Sequence, residues 1–140
     1  MNISIIYGST TGNTERVADM IKGQLTDHDV NIVNVADVKD DDYNDAELVL
    51  LGSSTWGYGE LQDDFAIHYD TLSNVQLAGK NVAVFGCGDE DGFADVFCEA
   101  VTLISEKAEE CGATIVAEGL KVNGNPDDNT DAIIAFAQSL

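Results

Sequence analysis

The order of apolar segments predicts an α/β domain: a doubly wound parallel sheet of five strands with helices on both faces. Short β-type runs alternate with longer segments of helical period along all 140 residues. Two runs, Leu48-Val49-Leu50-Leu51 and Val82-Ala83-Val84-Phe85, are continuous rather than alternating, as in a strand covered on both sides. The glycine-rich segments follow the first, third and fourth of the strand-like runs, where such sheets bind ligands, outside the strands' carboxyl ends.

Taken in order, Asn2 to Tyr7 reads as the first strand through Ile3, Ile5 and Ile6. Asn13 to about Thr26 has helical spacing, with Val17, Met20, Ile21 and Leu25 on one face. Val30 to Val35 is the second strand. Asp40-Asp41-Asp42, with Asp45 close behind, reads as a solvated acidic connector and not a metal site. Glu47 to Ser53 is the third strand. Asp63 to Asn74 reads as a helix bearing Phe65, Ile67, Tyr69 and Leu72 in a less regular pattern, and Lys80 to Cys87 as the fourth strand. Val96 to Cys111 spaces Phe97, Ala100, Val101, Ile104 and Ala108 as a core-facing helix ended by Gly112. Thr114 to Val122 is the last strand. Asn125 and Pro126 form a cap and first-turn proline before a final helix through Ile133, Ile134, Phe136 and Leu140.

The chain, 44% hydrophobic, is long enough for one domain with a real core, expected to span residues 1–140. No apolar run reaches membrane-spanning length, and the first residues lack a basic segment and apolar signal core, so a cytoplasmic location is expected. Cys87, Cys98 and Cys111 contain no Cys-x-x-Cys pair, which fits reduced thiols and neither a zinc site nor an iron–sulfur cluster. Against 26 acidic residues stand 6 basic ones, a net charge of −20. That disfavours nucleic acid and anionic membrane as partners and favours basic proteins, steered by the field. Solubility and adaptation to a salty medium would produce the same charge.

Three loops carry the chemistry. Ser9, Thr10, Thr11, Gly12, Asn13 and Thr14 join a strand to a helix and contain four hydroxyls but no Lys or Arg. Backbone N–H groups at a helix start, aided by hydroxyls, form a phosphate cradle. Without the Lys of a nucleoside-triphosphate loop and without a dinucleotide Gly-x-Gly-x-x-Gly, the cradle suits a single terminal phosphate. The second loop, Ser53 to Leu61, holds Ser54, Thr55, Gly57, Tyr58 and the only tryptophan, Trp56, an indole placed to stack on a flat ligand. Gly57 can turn its peptide plane at little steric cost. The third loop, Gly86 to Cys98, includes Cys87, Gly88 and Asp89, whose backbone can approach a ligand edge. Phe93 is preferred over Phe97 as the ring closing the opposite face. Its carboxylates lack calcium-loop spacing.

Together the three loops resemble those of the flavodoxins, specifically the short-chain kind, over essentially the whole chain. Ser9-Thr10-Thr11-Gly12-Asn13-Thr14 matches the family's phosphate loop. Ser54-Thr55-Trp56-Gly57 matches the loop over the inner face of the isoalloxazine, and Gly86-Cys87-Gly88-Asp89 through Phe97-Cys98 the loop over the outer face. Glu60-Leu61-Gln62-Asp63-Asp64-Phe65 also looks like family sequence, and the last strand lacks the insertion of larger members. The resemblance implies strand order 2-1-3-4-5, noncovalent FMN and one-electron transfer. It implies phosphate held by Ser9 to Thr14, stacking by Trp56, and backbone contacts to the pyrimidine near Gly88, Asp89 and Cys98. It also implies a Gly57–Tyr58 peptide that flips to accept a hydrogen bond from N5–H of the semiquinone. Phe93 stands where many members have tyrosine.

The resemblance further implies no catalytic residues of the protein's own, a monomer, and basic-surfaced redox partners, reductases and low-potential acceptors. A carboxylate about 10 Å from the ring at an effective dielectric of about 20 opposes a second electron by roughly 1.7 kcal/mol before screening. Several such charges favour a low potential. The rival readings are an FMN-dependent NAD(P)H:quinone reductase, which shares the fold and first loop, and a redox-silent FMN-binding assembly factor. A signalling receiver fails, because the acidic positions it needs read Tyr7-Gly8 and Ser53-Ser54. His28 and His68 lie outside the loops and are expected at the surface.

Overall fold

A computed structural model describes residues 2–9, 12–56, 60–72, 77–88 and 99–140, with Trp56 and Glu60 through their backbone. In chain order they form β1 (Asn2–Gly8), α1 (Asn13–Gln24), β2 (Asp29–Asn34), a 3-10 turn (Val35–Asp37), α2 (Asp40–Asn44), β3 (Leu48–Trp56) and β4 (Glu60–Leu61). There follow α3 (Asp63–Thr71), β5 (Asn81–Gly88), α4 (Glu99–Glu110), β6 (Thr114–Ile115), β7 (Leu120–Asn123), a second 3-10 turn (Pro126–Asn129) and α5 (Thr130–Gln138).

The sheet runs β2-β1-β3-β5, with β6 and β7 both on the far side of β5. These strands pair in parallel; β4 alone pairs antiparallel, with β3. The expected doubly wound order is therefore present. Side chains alternate between two cores, as the period of a strand requires. Ile3, Ile5, Leu50 and Phe85 pack with Val17 and Ile21 of α1 and Ile133 and Phe136 of α5. Ile6, Val49, Leu51, Val82 and Val84 pack on the opposite face with Tyr43, Phe65, Val101 and Ile104. Gly8, Ser53 and Gly86 share one row of the register, so the carboxyl ends of β1, β3 and β5 are level. That row is the floor of the site. It is also closely packed: a Cβ on Gly86 would stand 2.4 Å from the Ser53 carbonyl oxygen, and one on Gly52 2.2 Å from the Phe85 ring.

Several expectations are corrected. The last strand is not continuous from Thr114 to Val122: it breaks between Ile115 and Leu120, and its two pieces pair with different stretches of β5. Asp40-Asp41-Asp42 is not a connector but the first turn of α2. Its Asp42 carboxylate accepts from the Lys39 N–H at 2.7 Å, and burial of Tyr43 anchors the turn on the sheet. Ile67 does not face the core and is 71% exposed. α3 lies with Phe65 fully buried and Ile67 two positions on, so the two point to different sides of the helix. His68, expected at the surface, is half-buried. Its ring stacks on Tyr43, meets Phe65 edge-on and hydrogen-bonds the Tyr43 hydroxyl through Nε2. Burial lowers the His68 pKa, and raises that of Tyr43 with a further push from Asp42. His28 is half-buried, with Nδ1 enclosed and unpartnered. The Gly112 cap is as expected, at φ +90°. Val96, Phe97 and Cys98 lie outside the described residues.

Candidate functional site

β1 delivers the chain to Gly8 and Ser9, and α1 begins at Asn13. Between them Gly12 takes the left-handed conformation, φ +93°, with open space where a Cβ would be. Its N–H donates to Ser9 Oγ at 3.0 Å, closing the loop on itself and leaving the Ser9 hydroxyl proton for another acceptor. No side chain among the described residues caps α1, so its first-turn N–H groups remain available to an anion. Asn13 is exposed at that start. Thr14, one residue further, is fully buried, and its Oγ1 has no hydrogen-bond partner.

The Cys87 thiol lies near Thr14. Burial pushes its pKa up to about 11, and the Thr14 hydroxyl acts slightly against that rise. The two do not meet in hydrogen-bonding geometry, so Thr14 Oγ1 stays unsatisfied. A buried hydroxyl without a partner is costly, by about 1–3 kcal/mol. The cost is removed by an acceptor arriving at the first turn of α1, where the donors converge. Arg16, the nearest cation in sequence, is engaged with Asp127 at 3.3 Å. The residues present therefore fit a phosphate held by neutral donors.

The second loop leaves from β3. Ser54 is buried, and its carbonyl accepts from the Gln62 N–H at 3.1 Å. Thr55 Oγ1 accepts from the Ala100 N–H at 3.0 Å, tying β3 to the first turn of α4. The Thr55 oxygen thus accepts from the N–H of Ala100 in α4, a role its place in the loop did not reveal, while its hydroxyl proton is left for another acceptor. In the third segment the Cys87 side chain is buried in the α1-side core, so only its backbone is left to meet a ligand. The Gly88 carbonyl accepts from the Gly124 N–H at 2.9 Å. Tyr7, just below the site, has its pKa raised by burial first and by Glu15 next, partly offset by Asn34. Thr10, Thr11, Gly57, Tyr58, Asp89, Phe93 and Cys98 lie outside the described residues, as does the Trp56 side chain.

Two residues that the sequence left unassigned are central here. Ser53, fully buried, accepts the Gln62 N–H at 3.1 Å and donates to the Ser54 carbonyl at 2.9 Å. Gln62, also buried, accepts from Phe65 N–H at 3.0 Å through Oε1, so it caps α3. Glutamine is not among the preferred capping residues, and nothing in its spacing announces the role.

The flavodoxin family model matches residues 5–136. The chain is 45% identical to the flavodoxin of Maridesulfovibrio salexigens over 141 aligned residues, covering 97% of this chain and 94% of that one. It is 42% identical to flavodoxin 1 of Escherichia coli, over 80% of this chain but 64% of the relative's length. Among solved structures, oxidised flavodoxin 2 of Bacillus cereus superposes with a TM-score of 0.91 at 40% identity, over 99% of this chain and 97% of that one. A family model that covers residues 5–136 and a relative 45% identical over nearly the whole of both chains settle the assignment: the chain belongs to the flavodoxin family.

Proposed function

We propose that this chain, as one domain over residues 1–140, is a one-electron carrier with noncovalently bound FMN, working between redox proteins. FMN is the cofactor of the family, and it supplies an electron acceptor that can be reduced in two single steps. The observation that carries the reading is the unpartnered Thr14 hydroxyl, fully buried in the first turn of α1 beside the free N–H groups. Ser9, Thr10, Thr11, Gly12, Asn13 and Thr14 bind the phosphate without a countercharge. Ser54, Thr55 and Trp56 with Gly57 and Tyr58, and Cys87, Gly88, Asp89, Phe93 and Cys98, line the ring by resemblance. Within that set, Cys87 contributes backbone, because its side chain is buried in the core.

The protein's charge does the remaining work. A net charge of −20 opposes each added electron and draws basic reductases and low-potential acceptors to the molecule. The carrier acts as a monomer in the cytoplasm, and no described helix is long and apolar enough to cross a membrane. The family assignment gives the quinone-reductase alternative no support. The test is a titration of the apoprotein with FMN, followed by spectroelectrochemical reduction. Binding with two resolved one-electron steps is expected. Failure to take up FMN, or a single two-electron step, overturns the reading.

A further inference from the structure

Gln62 belongs to a sequence segment that the phosphate and ring loops do not include, yet it joins both. Its backbone N–H is shared between Ser53 Oγ and the Ser54 carbonyl, each at 3.1 Å, on the carboxyl end of β3. Its side-chain Oε1 accepts from Phe65 N–H at 3.0 Å, and its Nε2 donates to the Asp64 carboxylate at 3.3 Å. The same Oε1 lies over Gly8, the last residue of β1: a Cβ there would stand 2.4 Å from it and 3.0 Å from Phe65 Cβ. One buried side chain, 2% exposed, thus touches the strand that leads into the phosphate loop, while its own backbone is bolted to the strand that leads into the ring loop. Gly8 and Ser53 are direct neighbours in the register, so the bridge spans a single row of the sheet.

Resting on the FMN reading above, we propose that Gln62 is a positioning residue that fixes the spacing between the carboxyl ends of β1 and β3. It thereby sets both the affinity for FMN and the first reduction potential. The physical reason is geometric. A ligand anchored by its phosphate after β1 and covered by the loop after β3 reads any change of separation between those strand ends. The neutral amide suits this place, since it supplies an acceptor to the start of α3 and a donor to Asp64 without adding charge. Gly8 lacks a side chain because the amide closes on it.

The test compares Gln62→Met, Gly8→Ala and Ser53→Ala with Gly112→Ala, which strains a left-handed helix cap outside the site. Met keeps the length and burial of Gln and removes its polar atoms. Ala at position 8 displaces the amide without altering residue 62, and Ala at position 53 removes the hydroxyl that receives its N–H. FMN affinity is read by fluorescence quenching on the apoprotein, the two potentials by spectroelectrochemistry, and stability by urea unfolding. The expected result is a loss of affinity of about tenfold or more and a displaced first potential in the site variants. Gly112→Ala should lose stability while keeping both values. If Gln62→Met fails to fold, Gly8→Ala and Ser53→Ala decide by the same readouts. Site variants that lose stability like the control, with parental affinity and potential, overturn the proposal and leave Gln62 a helix cap. A parent that does not bind FMN overturns the functional reading and this proposal together.

Discussion

Replacing Thr14 with valine should have opposite effects on the empty and the loaded protein. Thr14 is fully buried and its Oγ1 has no partner, so the apoprotein carries an unsatisfied hydroxyl. Valine has the same branched shape, and removing the polar atom relieves about 1–3 kcal/mol of desolvation cost. Valine is also stiffer and slightly poorer in a helix, which takes back a few tenths of a kcal/mol at most. The net expectation is an apoprotein more stable by about 1–2 kcal/mol, or roughly 3–6 °C in melting temperature for a domain of this length. With FMN bound, the same hydroxyl donates to a phosphate oxygen, and a hydrogen bond to a charged group is worth about 1.5–3 kcal/mol. Its loss weakens FMN binding by about 10- to 150-fold. Urea unfolding of the apoprotein and fluorescence titration with FMN give the two numbers. An apoprotein destabilised by the change, or an affinity equal to the parent's, refutes the assignment of Thr14 to the phosphate.

FMN affinity should rise with added salt, from tens of millimolar to about 0.5 M, because screening relieves repulsion between a dianion and a protein of charge −20; isothermal titration at several salt concentrations measures it, and a falling affinity contradicts the charge-free cradle. Apoprotein melting temperature should also climb with salt, since few carboxylates have a cationic partner; a flat profile counts against self-repulsion. Gly86→Ala should destabilise the fold by about 1–3 kcal/mol, because its Cβ would press to 2.4 Å on the Ser53 carbonyl, backbone that cannot yield without parting β3 from β5; urea unfolding at the parental midpoint refutes it. His68 has a folded pKa below its unfolded value near 6.5, so the unfolded state takes up the proton first and stability falls as pH drops below about 6.5. The decline should be reduced in His68→Gln, as followed by unfolding between pH 7.5 and 5.5.

The sequence displayed its architecture where burial is continuous and concealed it where one anchor decides. Leu48-Val49-Leu50-Leu51 announces a central strand because apolar residues must serve two cores at once. The turn from β1 into α1 is equally plain, since Gly12 and a following amphipathic helix occupy consecutive positions. Asp40-Asp41-Asp42 reads as solvent-loving because composition is local, whereas the burial of Tyr43 that makes it helical comes from the sheet beneath. The contacts of His68 stay hidden for the same reason: Tyr43, on which its ring stacks, is 25 positions away. Ile67 fails the helical pattern because α3 buries Phe65 and leaves that flank open. Gln62 and Ser53 act through contacts between strand ends, which no linear spacing encodes.

The interruption at residues 116–119 makes the outer border of the sheet a natural splice point. On either side of it the chain returns to β5, through Ile115 opposite Val82 and Leu120 opposite Phe85, so each half is anchored independently. Val116 is 41% exposed, and the stretch follows the outer border of the sheet, with Leu120 just after it one rung short of the row that Gly86 shares with Gly8 and Ser53. Additional polypeptide grafted at the exposed Val116 would loop outward, while Leu120 to Asn123 keep their own pairing with β5. A lineage could lengthen or shorten at this border while its electron-carrying chemistry stayed untouched.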